Sequence, residues 1–337
     1  MSNTGYVPQI ESQIGWDIGS LGESRLNLSS VGGDSHPSFG PLPSFLGFHP
    51  CYSEAAHFQY GRIHLPVAPL CNVHCNYCNR QVGDCYHIFR PGVTNRVMTP
   101  EEAVAWVAGA LKVEPRLRVA GIAGPGEPLA NEATFRTLEL VRHRFPRLLL
   151  CLSINGLLLS QHARQLATLG VQTITVTVNA LQAEVGARIY AWIRDGDIIR
   201  RGVEGAALLA RRQLEGIALA SAAGIAVKVN TVLIPGLNEA EIGPLAQAAR
   251  ERGAVIQNVM PLIPLGRFRH LRPPTCEELR DARTAGMAFL PQFHRCRQCR
   301  ADAVGVPGEG DMGDSLVGLS MQSESQAGAD VMRKELC

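Results

Sequence analysis

The sequence predicts an α/β fold, and three observations carry that prediction. Short apolar runs alternate with longer segments of helical period about six times along the chain. The short runs are near-continuous in apolar residues, as strands are when both of their faces are covered. The chain has 337 residues, 46% of them hydrophobic and 18% charged, enough to bury a large core without staples. Because βα crossovers are right-handed, this alternation closes as an open sheet or as a barrel. In either case the functional site belongs at the C-terminal ends of the strands.

The run 62–68 (RIHLPVA) is the first strand candidate. Residues 100–113 read as the first helix, because Thr99 is a suitable N-cap and Glu101 and Glu102 complement the helix dipole. A strand over 118–123, a helix over 132–145, a strand over 148–153, a helix over 159–169 and a strand over 172–178 follow. A long helical region over 204–223 leads to a strand over 226–233, a helix over 239–252 and a last strand over 255–260. Residues 1–45, rich in Gly, Ser, Pro and Asn, read as a mobile leader, and 307–337 as a disordered tail. The folded part is therefore expected over 46–306.

The first 24 residues contain no Lys or Arg, so no secretory signal is expected. The longest apolar stretch, 217–229, is broken by Ser221 and Lys228, so no membrane span is expected and the cytoplasm is the default location. A balance of 32 basic against 30 acidic residues gives no nucleic-acid footprint.

Ten cysteines and ten histidines are the unusual part of the composition. Ten thiols are too sparse for a disulfide scaffold of this length, so they read as metal-binding, catalytic or buried. Cys71, Cys75 and Cys78 form a C-x3-C-x2-C motif directly after the first strand, on the face where a site belongs. Three thiolates on one short loop can hold three irons of a [4Fe-4S] cube. The fourth iron is then open to a chelating ligand, and S-adenosylmethionine supplies one through its amino and carboxylate groups. Zinc is the alternative, and it needs a fourth ligand such as His74.

With Tyr77 before its third cysteine, this motif resembles the radical SAM superfamily, whose fold is a partial (β/α)6 TIM-like barrel. A narrower set of strings resembles the NifB family of nitrogenase cofactor biosynthesis. They are His49-Pro50-Cys51, HLPVAPLCNVHCNYCNR (64–80), RPGV (90–93), AGPGEPLAN (123–131), IYAWIRDG (189–196), RGVEGAALLARRQLEGI (201–217), KVNTVLIPG (228–236) and CRQCRADAVG (296–305). The resemblance runs from about residue 47 to 306, with N- and C-terminal extensions that carry cluster ligands.

That resemblance implies a lyase-type radical enzyme that fuses two [4Fe-4S] clusters into an [8Fe-9S-C] cofactor precursor. The carbide comes from a methyl group of S-adenosylmethionine, and an extra sulfur is inserted. It also implies cluster-donor, carrier or scaffold proteins of nitrogenase assembly and a reductant protein as partners. Some family members continue into a NifX-like domain, which is not expected here. Between Cys85 and Arg90 the sequence departs from the family's usual polar segment, reading Tyr86-His87-Ile88-Phe89. Two other functions remain open at this point: a radical enzyme acting on an organic or peptide substrate with auxiliary electron-transfer clusters, and a non-catalytic iron–sulfur scaffold.

Seven cysteines remain outside the motif, fewer than the eight that two fully Cys-ligated cubes would need. Histidine or open irons must make up the difference. The resemblance assigns Cys51, Cys85, Cys151, Cys296 and Cys299 as ligands, with His49 as the candidate imidazole. Cys51, Cys85 and Cys151 are expected around one substrate cluster, and Cys296, Cys299 and His49 around the other. From the chain alone Cys151 reads better as a small buried hydrophobe, and the resemblance reverses this; Cys276 and Cys337 have no assignment.

For S-adenosylmethionine, Gly124 and Glu127 of the Gly-Pro-Gly-Glu-Pro turn are expected at the methionine ammonium. Ser153, Asn155, Thr177 and Asn179 at the ends of two strands are expected near the ribose and carboxylate, and Ile234 against adenine. Helix or turn capping is the plain alternative for the polar four, a turn for the glycine, and a core position for Ile234. Lys228 and Asn230 are polar within an apolar strand. Lys228 can neutralise a carboxylate or a cluster, or else reach the rim.

Overall fold

The computed structural model describes residues 42–309. Six parallel strands form its centre: β1 (Gly61–His64), β2 (Leu117–Ile122), β3 (Leu149–Ile154), β4 (Val171–Thr177), β5 (Ala226–Leu233) and β6 (Ala254–Pro261). Each pairs with its neighbours in chain order, and a short strand β7 (Val304–Gly305) pairs antiparallel with β1. That strictly sequential order settles the choice left open by the alternation. The sheet is wound one way, as in a (β/α) barrel, without the order reversal of a doubly wound sheet. The fold is thus the α/β partial barrel that the sequence predicts.

Helices α1 (Pro100–Val113), α2 (Glu132–Arg144), α3 (Leu159–Thr168), α4 (Gly202–Ala222) and α5 (Ile242–Glu251) occupy the expected connections, and α6 (Cys276–Met287) follows β6. The start of α1 is fixed by a capping box. The Glu102 N–H donates to Thr99 Oγ1 at 3.2 Å, and the Thr99 N–H donates back to Glu102 Oε2 at 2.8 Å. Ala103, Val107 and Ala110, spaced by four and three, face the sheet. They meet the outward residues of the strands, among them Ala120, Leu150, Leu152, Ile174, Val176, Val227 and Val229, in one buried cluster. Removing a side chain of that cluster, as in Leu152→Ala, costs about 2–5 kcal/mol.

The opposite face of the strands differs. By the two-residue alternation of a strand, His64, Cys151, Ser153, Thr173, Thr175, Thr177, Lys228, Asn230 and Asn258 turn inward. Register joins them across the sheet: Cys151 lies beside Thr173, Lys228 beside Thr175, and Asn230 between Thr177 and Asn258. A barrel interior is ordinarily filled by branched aliphatics. This one is lined with polar groups and a thiol.

Two extensions close the half-barrel. Leu46 and Tyr52 of the N-terminal segment pack with Ala226, Ile256 and Phe293 at the starting ends of β5 and β6. The Tyr52 hydroxyl donates to the carbonyl of Ile174 at 2.8 Å. The C-terminal segment leaves β6 along Gln257, whose N–H donates to Pro291 O at 2.9 Å, and ends in β7. The expected leader and tail fall largely on residues 1–41 and 310–337, outside the described residues. Among the described residues no helix is long and apolar enough to cross a membrane.

A small antiparallel sheet was not foreseen. Val73–Cys75, inside the cysteine motif, pairs with Tyr190–Asp195, which pairs with Ile198–Arg200. A three-residue strand whose partner is remote in sequence has no local periodicity to show it.

Candidate functional site

A cleft of about 240 Å³ opens at the C-terminal ends of the strands. Cys71, Cys75 and Cys78 line it, facing Glu127, Ser153, Asn155, Thr177 and Asn179, with Val232 and Met260 as apolar surface. The cysteine loop is anchored on both flanks. Its Asn76 N–H donates to Ile189 O at 2.8 Å, and Asn76 O accepts from the Arg267 N–H at 2.8 Å.

The Gly-Pro-Gly-Glu turn is tied to the same loop. The N–H groups of Gly126 and Glu127 donate to Ala68 O and Leu70 O at 2.6 and 2.7 Å. A Cβ on residue 126 would lie 2.1 Å from Leu70 O, so only glycine permits this approach. Gly124 itself is not part of the cleft wall; its neighbours Ala123, Pro125 and Gly126 are.

Burial pushes the thiol of Cys71 up to about 11, and pushes Cys75 and Cys78 above the ordinary thiol range. For Cys75 the neighbouring thiols Cys78 and Cys71 add to that effect. Such thiols stay protonated near neutral pH and ionise against a bound cation such as iron. Among the described residues no three His, Cys, Asp or Glu side chains converge on a single ion. A cube does not require that, because its corners are separate irons. His74, the fourth ligand a zinc site would take, is stacked on Trp192 at 5.6 Å and is not on the cleft wall. The three thiols therefore fit a [4Fe-4S] cube with one open iron.

Glu127 is buried and accepts two backbone bonds, from Asn155 N–H at 2.6 Å and Leu129 N–H at 3.2 Å. Burial pushes its carboxyl up to about 7, with those two bonds opposing the shift. A carboxylate has about four acceptor positions, so two remain for a cation in the cleft. The capping alternative is thus realised together with, and not instead of, exposure to the cleft. Asn155 is engaged as well, donating to Asn72 Oδ1 at 2.7 Å and accepting from the Leu157 N–H at 2.9 Å.

Asn179 is completely buried, and its amide is partnered on both the donor and the acceptor side. It donates to the Tyr77 hydroxyl at 2.9 Å and accepts from the Val232 N–H at 2.9 Å. Its direct role in this geometry is to hold Tyr77. Ile234 is packed among Leu262 and other buried side chains and is not on the cleft wall; Val232 and Met260 supply the apolar surface expected of it.

Gln213 escaped the sequence reading. From a buried position on α4 its amide donates to Asn155 O at 2.7 Å and to Thr177 O at 2.9 Å, tying the ends of β3 and β4 together. A lone amide on the helix face that otherwise carries Leu209, Gly216, Ile217 and Ala220 was the available signal.

Below the cleft, on the same inner wall, lies a second group of thiols. Cys51 is pushed up to about 12 by burial, and Cys299, Cys151 and Cys296 are close enough to add to that shift. Lys228 opposes it; the ammonium donates to Cys51 O at 2.9 Å and sits over the rings of Tyr52 and Phe293 at 4.9 and 5.4 Å. Lys228 is buried and, among the described residues, forms no ion pair with a carboxylate. A buried cation without a counter-charge is costly, and an anionic occupant would offset that cost. Arg62 donates to Cys299 Sγ at 3.3 Å.

His49 Nε2 is completely buried and, among the described residues, has no hydrogen-bond partner, while Nδ1 accepts from the Cys51 N–H at 3.1 Å. Burial first, then Lys228 and His64, hold the ring well below its ordinary value, so it is neutral, as a metal ligand must be. An orphaned, buried ring nitrogen two residues from Cys51 suits a metal donor better than a hydrogen-bonding role. His64, not singled out in the sequence, is pushed down to about 4 by burial and Arg62.

Charge effects on Cys51 come from Cys151, Cys296 and Cys299, and His49 Nδ1 accepts from the Cys51 N–H. Cys85 is completely buried under its own loop, its thiol donating to Thr94 O at 3.1 Å. The cause is the pairing of Gln81–Val82 with Val93–Thr94, which folds the loop back on itself, with Arg300 donating to Cys85 O at 2.6 Å.

Comparison with known proteins places the chain in a family. The profile of the radical SAM superfamily matches residues 65–249. The chain is 46% identical over 263 residues to "FeMo cofactor biosynthesis protein NifB" of Methanocaldococcus infernus, covering 77% of this chain and 86% of that one. To the protein of the same name from Klebsiella pneumoniae it is 48% identical over 271 residues and spans 57% of its length. Among solved structures, a radical SAM methyltransferase from Sphaerobacter thermophilus aligns over 75% of this chain and 68% of that one, at 21% identity and a TM-score of 0.47.

Proposed function

The chain belongs to the radical SAM superfamily and, within it, to the NifB family, and from that premise we propose that it acts in FeMo cofactor biosynthesis by fusing two [4Fe-4S] clusters. In this reading the product is an [8Fe-9S-C] precursor whose carbide derives from the methyl group of S-adenosylmethionine and whose ninth sulfur is added during fusion. The observation that supports it is a second thiol group, Cys51, Cys151, Cys296 and Cys299, that shares the wall strand of Cys151 with the cleft residue Ser153. Cys151 and Ser153 are two residues apart on β3, about 7 Å along the strand. Chemistry begun in the cleft is thus within reach of a cluster held below it.

Cys71, Cys75 and Cys78 would hold the resident [4Fe-4S] cluster. When bound, that cluster with S-adenosylmethionine supplies the one-electron cleavage that yields a 5′-deoxyadenosyl radical. Glu127 accepts from the methionine ammonium through its free acceptor positions. Ser153, Asn155 and Thr177 offer polar groups to the ribose and carboxylate, Val232 and Met260 an apolar surface to the adenine, and Asn179 fixes Tyr77 beside the loop. Gln213 holds the two strand ends at a constant spacing.

In the lower chamber Cys51, Cys151, Cys296 and Cys299, with His49, hold a substrate cluster, and Lys228 offsets its negative charge. Thiols suffice for only one fully ligated substrate cube, so the second keeps open irons or other donors, which suits a species that must leave. Cluster-donor proteins, a product carrier or scaffold, and a reductant protein complete the cycle from outside.

Anaerobic reconstitution with dithionite and S-adenosylmethionine carrying a labelled methyl group tests the proposal. Label entering a protein-bound iron–sulfur product is the expected result. Formation of 5′-deoxyadenosine without label transfer contradicts the carbide reading, and no cleavage at all contradicts radical chemistry.

A further inference from the structure

The cysteine loop is a thin partition with a hollow on each side. The cleft lies on its inner side. On its outer side a second hollow is lined by His74, Cys78, Arg80 and Val82. Cys78 and Arg80 line both hollows. A donor seated outside would therefore meet the loop's metal across little more than one cysteine side chain.

The surface around the outer hollow is cationic and aromatic. His74 is stacked on Trp192 with 24° between the rings, and the guanidinium of Arg194 lies over Trp192 at 5.9 Å. Arg194 and Arg267 are exposed, and neither is ion-paired among the described residues. Arg267 enters through its backbone, which donates to Asn76 O at 2.8 Å, so its side chain is spare. The fields of Arg267 and Arg80 reach His74 and help to hold that ring below its ordinary value, after burial. Val82, 52% exposed, adds an apolar contact. Of the acidic residues of the same hairpin, Asp195 ends the strand next to Arg194 and Asp197 lies in the turn.

We propose that this outer face, built on His74, Trp192, Arg194 and Arg267, is the docking site of an acidic one-electron carrier protein. The inference rests on the proposed function, in which each radical event consumes one electron. The carrier is oxidised by one electron, which crosses the Cys78 side of the loop. That electron breaks the C5′–S bond of S-adenosylmethionine, leaving methionine and the 5′-deoxyadenosyl radical. Complementary charge at such a face mainly raises the rate of encounter and makes it salt-dependent.

The test compares two reductants on the reconstituted protein, dithionite and a reduced acidic ferredoxin, with 5′-deoxyadenosine as the readout. The double variant Arg194→Glu, Arg267→Glu touches neither the cleft nor the thiols. With dithionite it should stay within about twofold of the wild type. With ferredoxin the half-saturating concentration should rise about tenfold or more and lose most of its salt dependence. Unchanged ferredoxin saturation, or an equal loss with both reductants, overturns the docking site. Cleavage by the wild type with dithionite is read separately and bears on the proposed function alone.

Discussion

The two thiol regions of the half-barrel are built in opposite ways. The upper three cysteines come from one loop of eight residues, 71–78, and are held by backbone bonds to that loop. The lower four come from four places in the chain: the N-terminal segment, β3, and two positions of the C-terminal segment. They share an environment only because the strands curl and both extensions cross the wall. The upper region is accordingly open, with a cleft for an organic cofactor. The lower one is enclosed by Tyr52 and Phe293 and carries a buried ammonium, a setting suited to an inorganic anion. In the proposed function, one barrel would thus separate generation of a reactive species from the cargo it acts on.

Breaking the upper region should have the largest effect. Cys75→Ala removes one of three thiolates that hold the resident cluster. Cleavage of S-adenosylmethionine should fall to background, a loss of about 10³-fold or more in 5′-deoxyadenosine release. Retained cleavage would refute the assignment. Lys228→Met addresses the lower region alone. Cleavage should persist, while formation of the iron–sulfur product drops by about 10–100-fold because the anionic occupant loses its counter-charge.

Glu127→Gln sharpens the contrast within the cleft. Loss of the charge-assisted contact to the ammonium should weaken S-adenosylmethionine binding about tenfold or more, measured by equilibrium titration. The substitution has a second signature, in the metal-free protein. Burial raises this carboxyl from 4.5 to about 7, so the folded chain keeps a proton that the unfolded chain has lost. The associated stability is present below pH 4.5 and is lost as pH rises through about 7. Thermal melts of the wild type between pH 5 and pH 8 should show that decline, and Glu127→Gln should flatten it. The smallest effect belongs to Gln213→Leu. Two buried carbonyls lose their donor, costing about 2–3 kcal/mol and lowering Tm by about 5–10 °C, with a modest rise in KM for S-adenosylmethionine.

The same contrast explains what the sequence reveals. The helix of Pro100–Val113 and the strand Ala226–Leu233 are legible to the residue, because capping and periodicity are local. The cysteine motif is legible for the same reason. The inward polarity was legible at the strand ends and at Lys228 and Asn230, but less so at Cys151, because Leu149–Ile154 reads as a nearly continuous apolar run. Grouping the lower thiols required the curl of the sheet, and the burial of Cys85 follows from the pairing of Val82 with Thr94, which no local pattern shows. Gln213 was missed because its two partners, Asn155 and Thr177, belong to other elements. Ile234 follows the end of its strand, and Val232, two residues earlier, lines the cleft.

The division of labour between the two regions is tested most directly by Cys151→Ala in the labelled-methyl assay. The account predicts cleavage of S-adenosylmethionine near the wild-type level, with no label entering an iron–sulfur product. Label transfer at the wild-type level would contradict it, because the chamber below the cleft would then play no part in holding the cargo.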